Sequence, residues 1–495
     1  MKPPSFTEFA ELATQGNVIP IAESMFADML TPVSAFLKLC GGEEQGFLLE
    51  SVEGGENIAR YSFLGRNPSE WIRDDGQQVI VTSAQKEETI ATDIFSYLQA
   101  RIHQYRYVKN PELPYFSGGI VGYFGYDTVR VLEKLPEKNA PKTDAPLAGF
   151  GIYDTVLAFD HVQQRILIIT NIFLDEHADV REQYDAALQR IADIKQTLKR
   201  PFNPGEAEPA APPSTSHRVL SNMTREEYCQ AVEQAKEYIR AGDIFQVVLS
   251  QRFSRPVSVP AFDMYRALRM LNPSPYLFFL RQGEQTIIGS SPELLVSVWG
   301  GEVVIRPIAG TRPRGKTPKE DREFEIDLLA DEKELAEHVM LVDLARNDVG
   351  RVSNYGDVRL TEKMIIERYS HVMHIVSEVR GKLRSGLDSV DAFKASFPAG
   401  TLSGAPKVRA MEIIEELEPE RRGIYGGGLG FLDFSGNLET CIMIRTMEIR
   451  EDVAYFQAGA GIVADSVPER EFEESVHKSN AIRAAITLAE NGLEQ

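Results

Sequence analysis

The sequence predicts a mixed α/β fold, and three observations predict it. Short runs rich in Val, Ile, Leu and Phe stand between Gly, Asp and Pro, as strands do between turns. Other segments space apolar residues by three and four and open on capping residues, as amphipathic helices do. No self-similarity recurs at periods of roughly 20 to 50 residues, which sets solenoids and propellers aside.

In chain order, Gly46-Phe47-Leu48-Leu49-Glu50, Gln78-Val79-Ile80-Val81 and Arg165-Ile166-Leu167-Ile168-Ile169-Thr170 read as strands. Residues 201–216, PFNPGEAEPAAPPSTS, hold five prolines and little that can enter a core, and read as a surface linker. It divides the chain into an N-terminal segment, 1–200, and a C-terminal segment, 217–495, although one merged fold with a long excursion fits the same composition. Downstream, the stretches from Gly242 to Ser250 and from Glu302 to Arg306 read as strands. Thr317, Pro318 and Glu320 predict a capping box with proline in the first helical turn. A second helix is expected near Asp331 to Asn347, where Leu335, Val339, Leu341 and Leu344 recur at mixed three- and four-residue spacing. The alternating run Ser370-His371-Val372-Met373-His374-Ile375-Val376 is strand-like, and Pro468 to Asn491 reads as one amphipathic helix.

The chain has 495 residues, about three domain equivalents. Hydrophobic residues at 43% and charged residues at 25% are ordinary globular usage, so disordered and fibrous classes are excluded. The net charge of −20 repels phosphate backbones and anionic lipid, which argues against nucleic-acid and membrane-surface roles. An anionic substrate would need locally placed Arg, Lys, backbone N–H groups or a metal. Cys40, Cys229 and Cys441 are widely spaced and support neither a disulfide framework nor a zinc site; a reducing cytoplasm fits. Neither an export signal nor a membrane span is expected.

Two carboxylate pairs, Glu334 with Glu337 and Glu471 with Glu474, lie three apart on expected helices and so share a face of each. Hard cations such as magnesium take oxygen from such pairs, but a solvated helix face gives the same spacing. Lys478 follows Glu474 by four and reads as its ion-pair partner. Glycine clusters at 400–404, 426–428 and 459–461 suit either tight turns or close backbone approach to an anion, and none matches a nucleotide-binding motif. Thr311, Arg312 and Arg314 put a hydroxyl and two guanidiniums just before a helix N-terminus, a setting that favours anions. His374 alone reads as a hydrogen-bonded structural residue.

Four long motifs, Pro307–Gly315, Glu337–Asp348, Pro398–Lys407 and Gly459–Ser466, together resemble the chorismate-utilising enzymes, and within them the anthranilate synthases. The resemblance spans essentially the whole chain. It implies two large, mostly antiparallel sheets packed together with helices outside (α/β, of the α+β type), and an active site in the C-terminal part. It implies conversion of chorismate and ammonia to anthranilate and pyruvate. By motif match, Glu337 and Glu474 would ligate magnesium with Glu334 and Glu471 nearby. Arg445, Tyr425 and the backbone of Gly459, Ala460 and Gly461 would hold the enolpyruvyl carboxylate, with Lys478 adding charge and Gly310 and Thr311 lining the ring. Glu293 matches the general acid for the departing hydroxyl and His374 the active-site histidine; Gln246 and Thr401 complete the catalytic set.

Gln246 stands where water-activating relatives carry lysine, and Ala309 where many aminodeoxychorismate synthases carry theirs, so ammonia is the expected nucleophile and anthranilate the expected product. Aminodeoxychorismate synthase is the nearer alternative, and a non-catalytic tryptophan sensor another. The resemblance also implies a tryptophan feedback site built from Glu50, Ser51, Pro275, Tyr276 and Leu277. It implies a separate glutamine amidotransferase subunit supplying ammonia, in a heterotetramer of two large and two small subunits.

Overall fold

The computed structural model describes residues 1–41, 45–51, 60–139, 145–175, 177–201, 218–369 and 372–493. All but the first residue of the proline-rich linker lies outside these.

Two sheets, each of twelve strands among the described residues, carry the molecule, and their ladders are antiparallel throughout. The first runs from Val18–Phe26 through Arg165–Phe173, Thr155–Asp160, Tyr61–Arg66 and Gly46–Glu50, then crosses into Tyr276–Gln282, Gln285–Ser291, Thr446–Arg450, Val453–Ile462 and Gln246–Pro256. The crossing is a hydrogen-bonded register of Leu277 with Glu50, Phe278 with Leu49 and Phe279 with Leu48. The second sheet crosses in the same way, Gly428–Asp433 pairing with Gly119–Phe124. The N- and C-terminal segments therefore share both sheets.

Strand alternation explains the layering. Along Tyr276–Gln282, Phe278 and Leu280 face a core that also holds Val121, Tyr123, Leu429 and Phe431 of the second sheet, so this core lies between the sheets. Leu277 and Phe279 face the other way, onto the helices Ala261–Leu271 and Asn480–Glu490. The outer face of the second sheet is covered by Ile94–His103, Glu332–Val352 and Ser389–Ser396. No helix among the described residues is long and apolar enough to cross a membrane.

The expected strands at 46–50, 79–83, 165–173 and 302–305 are present. Three expectations need correction. The strand expected from Gly242 begins only at Gln246, because the helix Arg225–Ala241 runs up to Gly242, whose φ of 84° closes it with a left-handed cap. The capping box at Thr317 is half made: Thr317 Oγ1 accepts from the Glu320 N–H at 3.2 Å, while Glu320 turns to accept from Lys316 N at 2.7 Å. The C-terminal helix is two, Pro468–Lys478 and Asn480–Glu490, because the N–H and hydroxyl of Ser479 both fold back on the Val476 carbonyl.

Candidate active site

The two sheets and the helices Glu332–Val352 and Pro468–Lys478 surround a cavity of about 510 Å³. Asp331 starts the first of these helices, its Oδ1 accepting from the N–H groups of Lys333 and Glu334 at 3.1 and 3.2 Å. Three-residue spacing then turns Glu334 and Glu337 into the cavity, and Glu471 and Glu474 reach it in the same way from the second helix. Glu334 is held above the usual carboxylate range by burial and by the neighbouring charges of Glu337 and Asp331. Glu471 is raised by burial and by Glu474, against a hydrogen bond from Ser466. Lys478 Nζ meets Glu474 at 2.6 Å and donates to the Gly459 carbonyl at 3.1 Å.

Gln246, first residue of its strand, donates from Nε2 to Glu337 Oε1 at 3.1 Å. Gly461 has to lack a side chain here, since a Cβ would stand 2.6 Å from that Nε2. Arg445 adopts a left-handed φ of 50° and donates to the Lys478 carbonyl at 2.7 Å; its burial lowers the guanidinium from its ordinary value. Tyr425 is pushed up to about 12 by burial and remains a hydroxyl donor.

Glu293 sits between the strands Gln285–Ser291 and Leu294–Trp299, 8% exposed, accepting from Thr401 Oγ1 at 3.0 Å. Burial raises it to about 8, so the carboxyl is protonated at neutral pH and can give up a proton. Gly310, with φ of 70°, lines the opposite wall beside Thr311. His374 Nδ1 donates to the Gly310 carbonyl at 2.9 Å and stands 3.1 Å from Thr311 Oγ1, a contact that leaves Nε2 as the basic nitrogen; burial lowers its pKa.

The cavity thus gathers the expected Gln246, Glu293, Gly310, Thr311, Glu334, Glu337, Thr401, Tyr425, Arg445, Gly459, Gly461, Glu471, Glu474 and Lys478. His374 stands one layer behind Gly310 and Thr311. Ala460 does not reach it: alternation turns its side chain away, into a cluster with Ile413 and Ile462. Arg312 and Arg314 are not available to an anion either. Arg312 is held by Asp327 and Asp331 at 2.6 and 2.8 Å, and Arg314 by Asp321 at 2.8 and 3.1 Å. Lys333 and Gln457 line the cavity without any spacing or motif that marks them in the sequence.

Among the described residues no three His, Cys, Asp or Glu side chains converge closely enough to form a ready-made metal centre. The donor chemistry nevertheless suits a hard divalent cation. Two pairs of carboxylates with no softer ligand face one space, and two of the four are raised by crowding and burial that such a cation would relieve.

A second cavity, about 340 Å³, lies between the sheets at the first crossing. Ser51, Pro275 and Tyr276 line it. Glu50 and Leu277 border it with backbone only: the Glu50 carboxylate points to the other face, accepting from Tyr265 Oη at 2.5 Å and Arg269 Nε at 2.9 Å, and Leu277 packs in the helix-side core. The rest of the lining, missed from sequence, is aromatic and acidic: Tyr61 and Phe63 come from the same sheet, Tyr115 from a connecting segment, and Trp299, Phe431 and Glu439 from the other sheet, with burial raising Glu439 to about 7.

The sequence signature described as chorismate binding enzyme matches residues 47–484. The anthranilate synthase component 1 of Acetivibrio thermocellus is 47% identical over 98% of this chain and 99% of its own length. The structure of anthranilate synthase component I from Streptococcus pneumoniae superposes with a TM-score of 0.78 at 38% identity, covering 93% of this chain and 99% of that one. The menaquinone-specific isochorismate synthase of Escherichia coli, at 19% identity, shares the fold with a TM-score of 0.70 over 97% of this chain and 98% of its own. Sheets, cavity and sequence agree on the class: the chain belongs to the chorismate-binding enzymes. Within that family it stands in the anthranilate synthase component 1 branch.

Proposed function

We propose that the chain is the aminase subunit of an anthranilate synthase, a lyase that converts chorismate and ammonia to anthranilate and pyruvate. The observation that carries this reading is the single cavity in which a protonated, buried Glu293 faces an anion-holding wall of Arg445, Tyr425, Gly459 and Gly461 on one side and two carboxylate pairs on the other. Arg445 and Tyr425 hold the enolpyruvyl carboxylate, and Lys478 adds charge to the same wall. Glu337 and Glu474, with Glu334 and Glu471 beside them, would hold magnesium. When bound there, the ion supplies charge neutralisation for the ring carboxylate.

Glu293 donates its proton to the C4 hydroxyl, which leaves as water while ammonia bonds to C2. Gln246, its amide nitrogen committed to Glu337, keeps its carbonyl oxygen available to orient the ammonia N–H groups. In the second step the C2 proton is removed, pyruvate departs and the ring becomes aromatic; His374, whose Nδ1 holds the Gly310 carbonyl beside Thr311, keeps that wall in place against the ring and leaves Nε2 as its basic nitrogen. The chain's relatives are named component 1, which implies a second component, and a glutamine amidotransferase subunit in that role delivers the ammonia.

The cavity between the sheets suits L-tryptophan as a feedback inhibitor: its aromatic walls match an indole and Glu439 offers a carboxylate to an ammonium. Bound across the junction of Ser51 and Tyr276, it would favour the arrangement of the two segments that it fits better and lower turnover. The test is anthranilate fluorescence from purified chain, chorismate, magnesium and ammonium salt, followed by added tryptophan. Appearance of aminodeoxychorismate instead of anthranilate would overturn the reading, and undiminished turnover with tryptophan would overturn the feedback site.

A further inference from the structure

Glu293 has a cavity on either side. Its front faces the active-site cavity. Behind it lies a chamber of about 30 Å³, and Glu293, Leu341 and Thr401 belong to both walls. At roughly 10 to 15 Å³ of such space for a first water, the chamber takes one or two. Its walls are mainly apolar, from Leu294, Leu344, Ala345 and Ala399, with Arg306, Asp348 and Ser396 as the polar exceptions. Asp348 is held by Lys407 at 2.9 Å. Arg306 leads outward, its NH2 donating to the partly exposed Glu362 and Glu367 at 2.8 and 2.6 Å. Its buried Nε, 3.5 Å from Glu378, makes no hydrogen bond among the described residues.

This arrangement answers a need that follows from the proposed reaction, on which the inference rests. A general acid that gives its proton to a departing hydroxyl becomes a carboxylate and must be reprotonated before the next turnover. Ligand in the front cavity covers the face where Lys478 lies, and Thr401 occupies Oε1. We propose that the rear chamber is a water site through which solvent returns a proton to Glu293, with Arg306, Asp348 and Ser396 holding the water in line. The step is a simple protonation: the carboxylate takes a proton from a chamber water, which is restored by a proton from bulk water along the Arg306 side. The proton released from the new C2 ammonium to solvent balances it.

The chamber can be filled without touching the front cavity, by Ala345→Val from one wall or Ala399→Val from the other. In rapid-quench assays of the full chain with chorismate, magnesium and ammonium, the first turnover should keep its unaltered rate, because Glu293 starts protonated. Later turnovers should slow by at least about fivefold with chorismate KM unchanged, leaving a burst of one anthranilate per site and a larger solvent isotope effect on kcat. Leu344→Ala, which widens the chamber, should show no burst. First and later turnovers falling in the same proportion, or neither changing in either valine variant, would overturn the proposal. An unaltered chain that makes no anthranilate would overturn the activity itself, and this step with it.

Discussion

Replacing Glu293 by Gln should abolish turnover and at the same time stabilise the protein, by an amount that depends on pH. A carboxyl raised from 4.5 to about 8 by burial is one that the folded state prefers protonated. Below pH 4.5 it is protonated in both folded and unfolded chains and has no effect on stability. Between 4.5 and 8 only the folded chain keeps the proton, so stability falls as pH rises; above 8 the loss is complete. At about 1.4 kcal/mol per pH unit the loss is roughly 3 kcal/mol at pH 7 and about 5 kcal/mol at pH 9. Gln is neutral, fits the same space and retains an oxygen for Thr401, so it escapes this loss. With an unfolding entropy of about 2.1 cal/mol/K per residue over 495 residues, each kcal/mol moves Tm by about 1 °C. Scanning calorimetry of the two proteins without substrate should therefore show no difference at pH 4, a gain of about 3 °C at pH 7 and about 5 °C at pH 9. Turnover should fall at least about 100-fold at every pH. A Tm difference that does not vary with pH would show that Glu293 is ionised in the folded protein, and the acid role would fall with it.

Three further outcomes are expected. Glu337→Gln and Glu474→Gln should each raise the magnesium concentration needed for half-maximal turnover by roughly 10-fold or more; unaltered magnesium dependence in both would remove the metal site. Gly461→Ala places a methyl group 2.6 Å from Gln246 Nε2, so the amide must leave Glu337 and turnover should drop by about 10- to 100-fold with little change in melting; unchanged kinetics would show that the Gln246 contact is dispensable. Ser51→Phe fills the chamber between the sheets and should leave turnover intact while abolishing tryptophan inhibition, as followed by fluorescence; persisting inhibition would place the inhibitor elsewhere.

Much of the site was legible because helical spacing is local. Glu334 with Glu337 and Glu471 with Glu474 declare a shared face in the sequence, but nothing local says that the two faces look into one cavity. Glu293 lies between strands with no periodicity around it, and only the family motif marks it. Its protonation comes from burial, which the tertiary structure supplies. Arg312 and Arg314 read as free cations because their partners, Asp327, Asp331 and Asp321, are brought back by helix packing. The chamber between the sheets was half legible: alternation along 46–50 and 276–282 turns Glu50 and Leu277 outward, and the facing wall of Trp299, Phe431 and Glu439 comes from another sheet altogether. The strand at 242–245 was misplaced because the apolar run continues past a helix cap that a single glycine sets.

The hydrogen-bonded crossings between segments bear on how such a chain could be divided. A cut between residues 201 and 218 would leave two fragments that each end both sheets on an open, apolar strand: Gly46–Glu50 and Gly119–Phe124 on one piece, Tyr276–Gln282 and Gly428–Asp433 on the other. Neither edge is the blunted kind that proteins leave in water. The pieces should therefore be insoluble apart and functional when expressed together, each serving as the missing half-sheet of the other. A gene split at that point would encode an obligate pair. Whatever binds at the seam is consequently read by both halves of the molecule at once.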